Sequence, residues 1–206
     1  MEYISIEKAK SLGGLRLVLT GGVPGPWSEA AKGLFRVRGV DYAPVFQEGG
    51  GANEAILAWT GHRNAPTAMY NDEAARVTPV EMINLAERLG SGPSLVPDAI
   101  AERVTMFGLL NEIAGEQGFA WSARTLMFAA MVENAGEAAM ASNPMLADYH
   151  FDATEVATAP AKIIAVLERL SQQLSAQSAA GSRYLVGERL SALDIYWACF
   201  SQMLDP

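Results

Sequence analysis

"NAPTAMYNDEAARVTPVEMINLAERL", residues 64–89, joins a proline behind a small residue, two short β-prone runs and a strongly marked helix start. TAMY (67–70) and ARV (75–77) flank NDEA, whose Asn and Asp favour a tight reversal, so the stretch predicts a β-hairpin. Thr78, Pro79, Val80 and Glu81 then form a capping box with proline at the first helical position. Met82, Leu85, Ala86 and Leu89 follow at helical spacing and supply a buried stripe. A hairpin running into a helix is the closing half of a small mixed domain.

The opening half lies upstream. LRLVLT (15–20) is apolar and β-prone and predicts a strand; GGVPGP (21–26) is a loop. EAAKGLFRVRGV (29–40) repeats apolar residues at Ala30, Leu34 and Val37, ends in Arg36 and Arg38, and is closed by Gly39 where a left-handed cap is needed. YAPVFQ (42–47) predicts the next strand, and Pro44, which has no N–H for a ladder, assigns it to a sheet edge. Strand, helix and edge strand make one βαβ unit. After a triple-glycine turn, residues 54–59 predict a short helix, while residues 1–12 read as a mixed, charged leader outside the domain.

Downstream, SGPSLVPD (91–98), small and with two prolines, predicts a linker. Beyond it, residues 100–115, 121–134, 159–177 and 191–204 carry helix-period apolar faces and strand signals nearly vanish, which predicts a helical bundle. The expected class is α+β: a βαβ-ββα domain over 13–90, the linker, and an all-α domain over 99–206.

Composition narrows the chemistry. With 15 basic against 23 acidic residues the formal charge is -8, which argues against a phosphate-tracking surface and so against nucleic acid as partner. The start lacks the apolar core of a signal peptide, and no apolar run reaches the roughly 20 residues of a membrane span, so the expectation is a cytoplasmic protein without membrane attachment. Cys199 is the only cysteine, which rules out an internal disulfide and a Cys-x-x-Cys redox or zinc pair; it reads as a small buried apolar residue. His62 and His150 form no local metal motif, and no metal is expected.

Two motifs in this order resemble the glutathione S-transferase superfamily. Asn64-Ala65-Pro66 matches the place of its cis-proline before the third strand, and YLVGERLSALDIYWACF (184–200) matches its glycine, Ser-x-x-Asp box and buried helix, here Gly187, Ser191 and Asp194. The resemblance covers residues 15–206 and implies a thioredoxin-like first domain, a helical second domain, a homodimer and glutathione as co-substrate. It also implies that the chain ends short of the further helices usual in the family.

The resemblance places glutathione along the first domain, with the backbone of Ala65 before Pro66 pairing with its cysteinyl unit and Thr78 holding the γ-glutamyl carboxylate. Val77 stands where the family has an acidic residue, and Gly25 where serine-type members carry the catalytic hydroxyl. Stabilising a thiolate, whose free pKa is about 8.5, needs a hydroxyl donor and a helix start. Ser28 and Thr20 are therefore the candidate catalytic hydroxyls. Ser28 also reads as a helix N-cap, and Trp27 as a packing or site-wall residue. His62 and Asn64 sit ahead of Pro66, either as ligand contacts or as a solvated loop. Trp121 and Arg124 lie beyond the Gly115 and Gly118 interruptions, where a kink would turn them towards the electrophile.

Two functions follow. One is an enzyme that transfers a glutathione thiolate to a small apolar electrophile. The other is a non-catalytic member of the same fold that binds a ligand or a partner protein. A disulfide oxidoreductase is excluded, because the strand-to-helix loop has no cysteine.

Overall fold

The computed structural model describes residues 1–136 and 143–204. The chain divides into two compact units, Met1–Val96 and Pro97–Pro206. In the first, the elements run α1 (Ile6–Ser11), β1 (Leu15–Thr20), α2 (Pro26–Val37), β2 (Ala43–Gln47), α3 (Glu54–Thr60), β3 (Thr67–Tyr70) and α4 (Pro79–Leu89). The sheet has the order β2-β1-β3, with β1 parallel to β2 and antiparallel to β3. Pro44 therefore sits on an edge strand, paired in register with Leu17 of the central one.

The central strand is buried on both faces. Val18 meets Ala9, Val45 and Ile56 in one cluster, and alternation turns Leu17 and Leu19 to the opposite side. Helices α2 and α4 pack on each other, burying Ala30, Ala31, Leu34 and Phe35 of the first and Met82, Ile83, Leu85 and Ala86 of the second. Each large side chain so buried contributes about 1.5–3 kcal/mol. Helix α2 closes as its sequence predicts: Gly39 takes φ +68°, the Val40 amide donates to the Phe35 carbonyl at 2.8 Å, and the Gly39 amide to that of Arg36 at 3.1 Å. Those two bonds satisfy carbonyls that the helix end would leave open.

Three differences from the sequence expectation carry physical content. Residues 1–12 are integral to the first unit: α1 packs on α3 and β2, and the Ile4 amide donates to the Pro44 carbonyl at 2.9 Å. The second hairpin run contracts to one antiparallel bridge, Ala68 with Arg76, so the sheet has three strands among the described residues. Residues 90–95 are held to the first unit rather than left as a free connector. Arg38, 6% exposed, donates to the carbonyls of Glu87 at 3.2 Å, Gly90 at 2.8 Å and Gly92, and Glu87 in turn accepts from the Leu95 amide and the Ser94 hydroxyl, both at 2.8 Å.

The second unit contains α5 (Ile100–Ala114), α6 (Phe119–Ala135), α7 (Pro144–Asp148), α8 (Ala159–Ala179) and α9 (Ala192–Phe200). Helix α5 packs against α6, α8 and α9, and α6 against α8. Both α5 and α6 are apolar around most of their circumference, leaving Ile100, Val104 and Met127 exposed, where the sequence predicts one clean stripe each. Among the described residues no helix is long and apolar enough to cross a membrane. The box at α9 forms as expected: Asp194 accepts from the Ser191 amide at 2.8 Å and its hydroxyl at 2.7 Å, and also from the Leu185 amide at 2.8 Å. Tyr196 and Phe200 of this helix are buried and stack on each other at 5.7 Å, while Cys199 is only half-buried.

Candidate functional site

The loop between β1 and α2 opens a cleft of about 170 Å³, lined by Tyr3, Leu19, Thr20, Gly22, Val23, Pro24, Ser28, Glu29 and Lys32. Its geometry follows from Pro26. Proline's fixed φ suits the first helical position and its missing N–H costs nothing there, so α2 starts at Pro26 and Gly25 becomes the N-cap, with no side chain to close the helix end. Ser28 is consequently the third helical residue and not the N-cap expected of it. It is buried, it lines the cleft, and its hydroxyl has no hydrogen-bond partner among the described residues. A helix start without a capping oxygen presents partial positive charge to whatever enters the cleft. Lys32, paired with Glu29, adds a cation at the rim.

Thr20 also lines the cleft, but its hydroxyl is committed: it donates to Gln47 Oε1 at 2.7 Å. Gln47 is buried and passes the connection on, its Nε2 donating to the Arg63 carbonyl at 3.2 Å. The end of β1 is thereby tied to the loop before β3. In that loop the Ala65–Pro66 peptide is cis, as the sequence motif implies. Ala65 packs against the Val18–Val45 cluster, the Asn64 carbonyl accepts from the Thr67 hydroxyl at 2.8 Å, and the main chain of His62 is held by Thr60 while its side chain is exposed. Trp27, His62, Asn64, Ala65, Pro66 and Thr78 are not among the residues that line the cleft.

At the start of α4, Thr78 performs the cap, accepting from the Glu81 amide at 3.3 Å. The rest of that helix start is occupied by Glu81 itself. Its Oε2 accepts from the Val77 and Thr78 amides at 3.0 and 2.9 Å and from the Thr78 hydroxyl at 2.9 Å. The donors that a bound carboxylate would use are thus engaged by a carboxylate of the same charge. These bonds, the Thr78 amide first, hold the Glu81 pKa below its ordinary value. A depressed folded-state pKa contributes stability above the unfolded value and loses it as pH falls through the folded one. We therefore expect Glu81→Gln to cost about 1 kcal/mol at pH 7, a difference that shrinks below about pH 4; urea denaturation of both proteins at the two pH values measures it.

Trp121 and Arg124 belong to the second unit. They lie on α6, a separate helix that begins after its Gly118 N-cap, so no kink of α5 carries them. The Arg124 guanidinium sits over the rings of Tyr149 at 4.0 Å and Trp121 at 4.8 Å, and Phe128 and Phe151 extend the aromatic group. Burial pushes its pKa down to about 10, which leaves it charged at neutral pH. Among the described residues no cluster of His, Cys, Asp and Glu has the make-up of a metal site.

Tyr3, Gln47, Glu29 and Lys32 are the site residues that sequence reading did not single out. Pattern alone gives no signal for Tyr3, because an isolated bridge 41 residues away in sequence places it, Ile4 with Val45.

The chain matches no protein-family model and no curated protein sequence. Its structure does find similar folds. A glutathione S-transferase from Methylobacillus flagellatus, solved with GSH bound, superposes with TM-score 0.68 at 14% identity, covering 93% of this chain and 83% of the other. The fold is that of the glutathione S-transferases. The Tau class glutathione S-transferase of mango gives TM-score 0.65 at 18% identity over 93% of this chain and 76% of its own. The nitrogen regulation fragment of the yeast prion protein Ure2p gives 0.66 at 15% identity over 94% and 83%. The glutathione S-transferase fold thus spans both units, while identities this low speak for architecture alone.

Proposed function

We propose that this chain binds glutathione in its first unit, with the sulfur in the cleft between β1 and α2, and transfers the thiolate to a small apolar electrophile. The observation that carries the reading is Ser28, a buried residue whose hydroxyl has no partner among the described residues, lining a cleft at a helix start without a capping side chain. A hydroxyl and a helix start together favour the thiolate over the thiol. The Methylobacillus flagellatus structure, which carries GSH on the same architecture, supports glutathione as the thiol. In this reading the Ala65 backbone beside cis-Pro66 pairs with the cysteinyl unit, Thr78 meets the γ-glutamyl carboxylate in competition with Glu81, and Ser28 rather than Thr20 serves the sulfur. A homodimer belongs to the same reading and is checked by analytical ultracentrifugation.

Turnover of an electrophile panel with glutathione, together with calorimetric titration, tests it. Ser28→Ala is expected to lower kcat/KM by about 10²-fold, with the dissociation constant changed less than threefold. Equal turnover in variant and wild type would remove Ser28 from the chemistry.

A second reading is a non-catalytic thiol- or partner-binding protein. It is favoured by Glu81, which fills the start of α4, by Gly25, which brings no hydroxyl, and by the resemblance of the architecture to the Ure2p fragment. It expects glutathione to bind without turnover, and Ser28→Ala to leave binding unchanged.

A further inference from the structure

A second and larger cavity, of about 570 Å³, lies along α2 and the connection that follows it. Small-molecule sites have about 300–1,000 Å³. Its walls follow from the way α2 ends. Gly39, at φ +68°, turns the chain back, and the bond from the Val40 amide to the Phe35 carbonyl fixes the reversal. Val40, Asp41 and Tyr42 therefore form one wall beside the helix. The Tyr42 ring is anchored on the fully buried Phe35, with centroids 6.4 Å apart. The other wall is α2 itself, through Glu29, Lys32, Gly33 and Arg36, whose spacing puts them on one helix face. Gly33, which costs a helix interior about 1 kcal/mol relative to alanine, brings no side chain to the middle of that face.

Four charged residues line the cavity, and two of them cancel, Lys32 and Glu29 forming an ion pair. Arg36 and Asp41, both exposed, have no hydrogen bond or ion pair among the described residues. An unpaired guanidinium on one wall and an unpaired carboxylate on the other select by charge. An anion alone meets Asp41, a cation alone meets Arg36, and a molecule that carries both charges satisfies each. Burial, and next the charge of Glu29, hold the Tyr42 phenol pKa above its ordinary value, so Tyr42 adds a neutral donor and an aromatic surface instead of a third unpaired charge.

We propose that this cavity binds a short peptide with both termini free, its carboxylate on Arg36, its ammonium on Asp41 and an apolar side chain against Tyr42 and Val40. The planar guanidinium matches a carboxylate in two parallel hydrogen bonds. Neither Ser28 nor Thr20 lines this cavity, so the site stands apart from the thiol reading.

Glycyl-L-phenylalanine is the probe, titrated into the full chain and followed by the amide resonances of residues 32–42. The N-acetyl form lacks the ammonium and the C-terminal amide lacks the carboxylate. The expected result is saturating shifts at Gly33 and over 39–42, with each blocked form binding about tenfold more weakly. Arg36→Ala and Asp41→Asn change exposed side chains and leave the core intact. Each is expected to weaken the free dipeptide about tenfold; Arg36→Ala then no longer distinguishes the amide, nor Asp41→Asn the N-acetyl form. No saturation at about 10 mM, where a site with Kd about 1 mM is filled, would overturn the site. The N-acetyl form binding as tightly as the free dipeptide would make it an anion site and overturn the peptide assignment, as would equal binding to wild type and both variants.

Discussion

Arg38→Met is expected to destabilise the first unit by about 3–5 kcal/mol, the range for breaking a buried ion pair from one side. Methionine fills much of the arginine stem's volume but donates nothing. Glu87 loses the guanidinium whose Nε lies 3.2 Å from its carboxylate, and the carbonyls of Glu87, Gly90 and Gly92 lose their donors. Because Glu87 also holds Leu95 and Ser94, the effect extends into residues 90–95. Urea denaturation at pH 7 reads the loss, and hydrogen exchange over residues 84–96 localises it. A change below 1 kcal/mol would mean that water replaces the guanidinium. The double variant with Glu87→Gln should recover part of the loss, since it removes the stranded charge.

Asp194→Asn is the second large effect, expected at about 2–3 kcal/mol, because three donors converge on a carboxylate. Oδ1 takes the Leu185 amide and Oδ2 takes the amide and hydroxyl of Ser191. An asparagine has one acceptor oxygen where aspartate has two, so it turns an NH2 group towards at least one of these donors. The segment it releases is otherwise held through Gln173, whose Nε2 donates to the Leu185 carbonyl at 2.8 Å, and Gln177, which donates to Gly187 at 2.9 Å. Faster amide exchange over 182–191, with α6 unaffected, is the expected signature. A thermal midpoint equal to wild type would show that capping at α9 is carried by Ser191 alone.

What was legible in the sequence was what local chemistry dictates. Thr78-Pro79-Val80-Glu81, Gly39 behind Arg38, Pro44 on an edge and the Ser191–Asp194 box each state their structure within a few residues, and each formed. The site was legible only in outline. The loop after β1 could be picked out by composition, but the proline that moves the N-cap to Gly25 also turns Ser28 from a capping residue into a cleft residue. The bond from Thr20 to Gln47 spans 27 positions and the bridge from Ile4 to Val45 spans 41, and no periodicity reports contacts at that range. Arg124 shows the same limit: its aromatic partner Tyr149 comes from another part of the chain.

The outer strand of the sheet is guarded twice, once by a proline and once by Ile4 lying along it. An open strand flank is a template on which another chain can add. A version of this protein cut after residue 5 would therefore be expected to self-associate through β2, so that the segment that brings Tyr3 to the cleft also keeps copies of the molecule apart.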